Sequence, residues 1–421
     1  MQRPDNTTQG KDMSEKFDVV VGIPSYNEAP TIGYVARVAG AGLAKYFPDA
    51  KCVIVNCDNN SMDGTKDAFL SATVPEKIEK RYITTPEGVK GKGNNFYNLF
   101  QFCRDVQSRV MIAVDADLRS ITPEWIKYLG YPIKRGHDLV TPLYSRHQFD
   151  GTITNHLCYP LALSLARVDA RQPIGGDFAF SPRLCAHWLD QEWNEMTRQY
   201  GIDIFMSLNA FFGNFKICQS GLGNKIHNAS APKLGKMFEE VVYTLFSLII
   251  HHRKVWLETS LEGFSYPYSE ARPVARYGLK KMLEPQMLSV DILNLKEQCR
   301  NEYGAYQQTI RNYLSPYAHN RIRAMIAIDH YDMDIMLWTQ VVYRLLFLFD
   351  GATEEAKKEI IDVLKPLYFA RSLAFDYTTF RYSIDYAEQE VRNQARAFLS
   401  QKPYLLGLYY LRDQVSRGAC N

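Results

Sequence analysis

The sequence predicts an α/β protein whose first part is a parallel sheet with helices on both faces and whose last part is helical. From Phe17 onward, short runs rich in Val and Ile alternate with windows of helical spacing, the pattern of strands joined by helical crossovers. After about residue 260 the strand-like runs stop and long windows of helical periodicity with mixed charge take over. A chain of 421 residues is long enough for two domains.

The elements follow in order. "FDVVVGIP", "KCVIVNCD", "KRYITTP" and "RVMIAVDAD" are the first strands. "NEAPTIGYVARVAGAGLAKYF", "SMDGTKDAFLSAT" and "GKGNNFYNLFQFCRDV" are the helices between them. Residues 1–16 are polar and are expected to be disordered. The α/β domain is expected over 17–259 and the helical domain over 260–421. "VVYTLFSLII", Val241 to Ile250, is the most apolar window. It is too short to span a bilayer and reads as a core helix.

Composition narrows the class. Hydrophobic residues make up 46% and charged residues 23%, ordinary for a globular protein. A net charge of +3 does not point to nucleic acid or a membrane surface. The eight cysteines form no CxxC pair, which argues against zinc, and their apolar surroundings suit reduced thiols in a cytoplasmic protein. The N-terminus has no apolar signal core. The 27 Tyr and 22 Phe fit a large core, sugar-stacking surfaces or an oligomer interface.

Five stretches fall where strand ends gather, the edge at which open α/β sheets bind ligands. In "IPSYNEAPTI", Glu28 sits at a helix start, suited to a cap or to a nucleoside clamp. In "NCDNNSMDGT", Asp58 ends a strand, while Asn60, Ser61 and Asp63 suit turn and capping roles. "GVKGKGNN" offers helix-start amides and Lys92 to an anion without P-loop spacing. "MIAVDADLRS" ends a buried strand in Asp115-Ala116-Asp117, acids that are costly to desolvate without a positive partner and suited to a hard divalent cation. "RQPIGGDFAFS" brings Gly175, Gly176 and Asp177, the glycines permitting a close backbone approach to a ligand. Asp203 and His227 follow downstream in "YGIDIFM" and "GNKIHN".

Taken in order, Pro-x-x-Asn-Glu, Asp58 with SMDGT, Gly-Lys-Gly, Asp-Ala-Asp, Pro-x-Gly-Gly-Asp and a late histidine resemble a GT-A nucleotide-sugar glycosyltransferase. More narrowly, the series is similar to the retaining enzymes that make glucosyl-3-phosphoglycerate and mannosylglycerate. The motifs cover residues 17–230, and a weaker likeness runs through "YDMDIMLWTQVVYRLL" and "FARSLAFDYTTFRYSIDYAEQ". The resemblance implies a GT-A nucleotide-sugar-binding (Rossmann-like) sheet as the catalytic domain. It implies Mn2+ or Mg2+ held by Asp117 and His227. It places the nucleotide sugar against Pro24, Tyr26, Glu28, Asp58, Lys92, Asp115, Ala116 and Gly176. Asp117, Asp177 and Asp203 become the catalytic carboxylates, the latter two lining the sugar pocket.

For the acceptor, the resemblance to mannosylglycerate synthase places Arg146, Asp150 and Thr154 of "YSRHQFDGTIT" on its carboxylate and hydroxyls. A planar guanidinium suits a carboxylate. The phosphoglycerate-using relatives carry Gly-Arg-x-Thr here, whereas this chain has Gly151-Thr152-Ile153-Thr154. It also carries Gly-Gly-Asp in place of the usual Gly-Gly-Glu, while its "DNNSMDGT" is closer to the phosphoglycerate users. The implied reaction moves glucose or mannose from a UDP- or GDP-linked donor to D-glycerate or a similar 2-hydroxy acid, the product being a compatible solute or its precursor. The alternative is a glucosyl-3-phosphoglycerate synthase. A sugar-phosphate nucleotidyltransferase is the outside alternative, but "PSYNEAP" lacks the Gly-rich basic signature of that class. The expected partners are the nucleotide-diphosphate sugar, the small acceptor and further copies of the chain in a homo-oligomer, with no nucleic acid or membrane.

Overall fold

The computed structural model describes residues 15–228, 234–261, 271–281, 283–285, 288 and 291–418. The expected disorder of residues 1–16 therefore lies, as far as residue 14, outside the described residues. The first part runs β1 (Val19–Ser25), α1 (Ala29–Tyr46), β2 (Cys52–Asp58), α2 (Thr65–Ser71), β3 (Ile78–Thr84), α3 (Lys92–Asp105), β4 (Val110–Ala113), α4 (Pro123–Lys134) and β5 (Leu139–Ser145). Residues 154–166 are helical, with π-helical turns on either side of α5 (Tyr159–Leu161). β6 (Phe178–Phe180), α6 (Pro182–Leu189), α7 (Ile202–Phe212), β7 (Ile217–Asn224), α8 (Leu234–His251), α9 (Arg253–Leu261) and β8 (Ala275–Gly278) follow. The chain then continues as α10 (Ile292–Tyr313), α11 (Pro316–Ala327), α12 (Ile335–Phe349), α13 (Glu354–Thr379), α14 (Ile384–Ser400) and α15 (Lys402–Gly418).

All seven residues of β1 and of β2 are buried, as expected for central strands covered on both faces. Alternation sorts their side chains. Val19, Val21, Ile23 and Ile54 join the core packed with α1 and α4. Val20, Val53 and Val55 join the core that takes in α3, α7, α8 and the later helices. "VVYTLFSLII" lies inside α8 and is largely buried, as the sequence predicts. Among the described residues no helix is long and apolar enough to cross a membrane. The seven cysteines among the described residues are free and buried.

The strand order is β3-β2-β1-β4-β6-β5-β7-β8. This α/β sheet followed by a helical C-terminal region agrees with the fold class the sequence predicts, with two corrections. The sheet is not wholly parallel, because β6 runs antiparallel between β4 and β5. β6 has only three residues and directly follows Gly-Gly-Asp, too short for its direction to be read from periodicity. Strands also do not end by residue 260: the short, exposed β8 pairs with β7. The order reverses between β1 and β4, which opens a crevice at their carboxyl ends.

Candidate active site

That crevice is where the acids of "MIAVDADLRS" emerge. Asp115 and Asp117 leave the end of β4, and the stretch after β7 is bonded onto them. Arg119 N–H donates to Ile226 O at 2.8 Å, Ile226 N–H to Ser120 Oγ at 2.9 Å, and Asn228 N–H to Asp117 Oδ2 at 3.0 Å. A register shift between β5 and β7, with Leu222 as the extra residue, immediately precedes this segment. Bulges commonly redirect a strand beside a site.

The result is a compact cluster of charges. Lys225 Nζ lies 2.6 Å from Asp115 Oδ2 and 2.8 Å from Asp177 Oδ2. Lys92 Nζ lies 3.1 Å from Asp115 Oδ1 and 3.2 Å from Asp203 Oδ1. Asp115 N–H donates to Asp177 Oδ1 at 2.9 Å, and the Tyr144 hydroxyl donates to Asp177 Oδ2. Burial alone would raise the Asp115 carboxyl, but the Lys225 and Lys92 ammoniums outweigh it and hold it well below the ordinary range. Burial wins at Asp177 and Asp203, whose carboxyls are raised. Burial opposes the charge on both lysines, yet the facing carboxylates prevail and raise them.

Gly176 is fixed by this cluster. Its φ is +85°, and a Cβ there would lie 2.2 Å from Asp115 Oδ2 and 2.7 Å from Lys225 Nζ. A Cβ on Gly175 would strike Pro142 Cγ at 2.0 Å. The close approach expected from this glycine pair is thus made to the protein's own side chains.

The Gly-Lys-Gly loop also differs from expectation. The N–H groups of Gly93 and Asn94 donate to the carbonyls of Gln199 and Arg198, each at 3.1 Å. Those helix-start amides are therefore occupied by the protein, and the Lys92 ammonium is what the loop presents to the crevice. Asp58 is fully buried and accepts from Ser25 Oγ, Ser61 N–H, Ser61 Oγ and Tyr82 OH. This network must open before Asp58 can hold a nucleoside. Pro24 is buried within β1, so Tyr26, Asn27 and, in part, Glu28 are what that segment shows to solvent. Tyr26 OH accepts from Lys90 Nζ at 2.7 Å. Glu28 makes no side-chain cap on α1; its Oε2 accepts from Asn228 Nδ2 at 3.5 Å.

Asp117 and His227 stand apart from the lysines. Asp117 Oδ2 is 3.9 Å from His227 Nδ1, with side chains 18% and 23% exposed. Burial first, then Lys225, lowers the proton affinity of His227, so the imidazole is neutral with a nitrogen lone pair available. One carboxylate and one neutral imidazole fit a divalent cation that takes oxygen and nitrogen ligands. No group of three or more metal-binding side chains occurs among the described residues, so such an ion would keep open positions.

Beside this pair, Arg146, Asp150 and Thr154 line one cavity. Arg146 Nη1 is 3.5 Å from Asp150 Oδ2, and its guanidinium lies over the Tyr144 ring at 5.5 Å. Arg146 is near enough to His227 and Lys225 to act on the charge of both. Thr154 opens the π-helical turn, a distortion frequent at functional sites. The C-terminal helices close over this segment: Gln148 Nε2 donates to Thr379 O at 2.9 Å, Gln394 Nε2 to Asn155 O at 2.7 Å, and Trp338 Nε1 to His156 O at 2.9 Å. Sequence reasoning missed Lys225, Tyr144 and Arg171, each of which lies in or beside a motif it had singled out.

Residues 20–177 match the family described as Glycosyl transferase family 2. This span runs from β1 through the Asp-Ala-Asp motif to Gly-Gly-Asp. No curated protein matches the chain. Among solved structures, glucosyl-3-phosphoglycerate synthase from Mycobacterium tuberculosis in complex with Mg2+ and UDP is similar at 21% identity and a TM-score of 0.45, over 57% of this chain and 85% of that one. The same enzyme with Mn2+, UDP-glucose and glycerol 3-phosphate aligns at 20% identity and a TM-score of 0.43, over 58% and 87%. A further mycobacterial protein aligns at 22% identity and a TM-score of 0.43, over 58% and 80%.

Proposed function

We propose that the protein is a retaining, metal-dependent glycosyltransferase that moves glucose or mannose from a nucleotide-diphosphate sugar to D-glycerate or a similar 2-hydroxy acid. One observation carries this reading: the Asp117–His227 pair opens at the β1/β4 crevice beside a cavity that presents Arg146, Asp150 and Thr154. A cation held by Asp117 and His227 would supply charge neutralisation to a departing diphosphate. Lys92 adds a fixed positive charge on the same side.

Arg146 would take the acceptor carboxylate, with Asp150 and Thr154 on its hydroxyls. In this reading the acceptor hydroxyl attacks the anomeric carbon from the face the diphosphate leaves. The C–O bond to the acceptor forms as the bond to the diphosphate breaks, and the hydroxyl proton passes to a diphosphate oxygen. Asp177 is wholly buried beneath Tyr144 and Lys225. It suits the support of Asp115 and Lys225 better than covalent attack, so the protein's contribution is positioning and electrostatics.

A second reading, transfer to 3-phosphoglycerate, gains support from Arg171, a further cation in the same cavity. The test is a product assay with Mn2+ or Mg2+, offering UDP-glucose, GDP-glucose and GDP-mannose against D-glycerate and 3-phosphoglycerate, read by mass and anomeric NMR. An α-linked product on D-glycerate that disappears with chelator is expected. A product only on 3-phosphoglycerate selects the second reading. No product on either acceptor overturns both, and a trapped covalent glycosyl-enzyme overturns front-face attack.

A further inference from the structure

The acceptor cavity, of about 70 Å3, has room for a small polar molecule and is walled by two parts of the chain. Arg146 and Arg171 come from the sheet side, while Glu388 comes from α14 in the helical region. Arg171 is 6% exposed. Its Nε donates to the two Glu388 oxygens at 3.1 and 3.0 Å, and its Nη2 donates to Asn155 Oδ1 at 2.8 Å. Its Nη1 is buried with no hydrogen-bond partner, and so is Arg146 Nε. Two guanidinium groups on one cavity therefore each hold a buried donor in reserve. Leaving such a donor unpaired is costly, and a modest turn of either guanidinium toward an anion in the cavity would relieve that cost.

Each guanidinium already faces one carboxylate: Asp150 lies 3.5 Å from Arg146 and Glu388 lies 2.9 Å from Arg171. Glu388 is also paired with Arg392 at 3.0 Å, one helical turn along α14, which fixes its place. With both cations already faced by carboxylates, a monoanion can take the spare donors without strong repulsion. A phosphate dianion would meet the Glu388 charge directly.

We propose that Arg171 is a second anion-binding residue of the acceptor cavity and that Glu388 is the counter-charge that makes the cavity prefer a singly charged 2-hydroxy acid over a phosphorylated one. The helical region thus sets acceptor specificity from outside the nucleotide-binding sheet. This rests on the acceptor reading given above.

Three variants test it: Glu388→Gln, Arg171→Gln and the conservative Arg171→Lys. Kinetics with D-glycerate and 3-phosphoglycerate are paired with calorimetric titration of D-glycerate and inorganic phosphate into the protein loaded with UDP and Mn2+. Glu388→Gln should raise kcat/KM for 3-phosphoglycerate over that for D-glycerate at least tenfold and tighten phosphate binding by a similar factor. Arg171→Gln should raise the acceptor KM tenfold or more with the donor KM held, and Arg171→Lys should recover part of the loss. The Glu388 arm remains informative if Arg171→Gln fails to fold, because Glu388 is a third exposed and lies on a helix surface.

An unchanged acceptor ratio and unchanged phosphate affinity in Glu388→Gln overturn the proposal while leaving the transferase reading intact. Wild-type protein that makes no product on either acceptor, yet binds D-glycerate or phosphate in a manner that depends on Arg171 and Glu388, overturns the transferase reading and supports the anion site. Loss of binding to UDP in Arg171→Gln would show that Arg171 acts on the donor instead, and would overturn its assignment.

Discussion

Lys225 reaches Asp115 and Asp177 together, at 2.6 and 2.8 Å, from a side chain only 3% exposed. It is the sole cation paired with Asp177 among the described residues, whereas Asp115 keeps Lys92 as a second. Replacing it with methionine preserves much of the volume and removes the charge. Asp177 would then lose its paired lysine while Asp115 shares Lys92 with Asp203, and breaking a buried pair by deleting one partner costs about 3–5 kcal/mol. Lys225→Met should therefore lower unfolding stability by about that much in urea titration. A variant of wild-type stability would mean that the cluster is wetter, and less dependent on Lys225, than its burial indicates.

Asp117 and His227 carry no comparable structural burden. Both side chains are partly exposed, and the His227 segment is tied to the 115–120 turn by the Arg119–Ile226 and Ile226–Ser120 bonds besides the one to Asp117. Asp117→Ala and His227→Ala should each leave the fold largely intact, abolish or strongly weaken Mn2+ binding by electron paramagnetic resonance, and reduce metal-dependent turnover by about 100-fold or more. Full turnover by Asp117→Ala in the presence of chelator would move the metal site elsewhere.

The motif residues and their strand ends were legible because chemistry and periodicity coincide there. Asp115 follows a run of four buried strand residues, and Gly-Gly-Asp leads straight into β6. What was not legible depends on contacts across the chain. Lys225 sits two positions before His227 in "GNKIHN", but only the fold reveals that it faces Asp115 and Asp177. Arg171 opens "RQPIGGD", yet its partner Glu388 lies 217 positions away. The amides of the Gly-Lys-Gly helix start resemble an anion site in sequence because nothing local shows that residues 198 and 199 supply their acceptors. β6 and β8 are too short for a period to declare itself.

Asp376 gives a pH signature away from the candidate active site. It lies on α13, 3% exposed, with Oδ1 lacking a hydrogen-bond partner among the described residues. Burial raises its carboxyl to about 7, with Arg371 pulling the other way. In an unfolded chain an aspartate titrates at about 3.9. Between those values the unfolded chain has lost this proton and the folded protein keeps it. Its contribution to stability is therefore fully present below about pH 4, falls as pH rises toward 7, and is gone above that. Asp376→Asn should flatten this part of the profile and be the more stable protein at about pH 8, the two converging near about pH 4, by urea unfolding across the range. Parallel profiles for the two proteins would show that Asp376 is ionised in the fold.

Under the proposed acceptor reading, Arg146 is separable from the rest of the site. It touches neither the Asp117–His227 pair nor the Lys92–Asp115 pair by hydrogen bond, and its ion-pair partner Asp150 belongs to the same cavity. A hydrogen bond to a charged group contributes about 1.5–3 kcal/mol, or roughly 10- to 150-fold in affinity. Arg146→Ala should accordingly raise the acceptor KM by that range while the donor KM stays within about twofold. Arg146→Lys should recover only part of the loss, because an ammonium cannot reproduce the two-pronged contact of a guanidinium with a carboxylate. Steady-state kinetics with each substrate varied at saturating levels of the other give both constants. A rise in donor KM alone would assign Arg146 to the nucleotide sugar, and the acceptor would then have to be sought outside the cavity that Arg146 shares with Arg171.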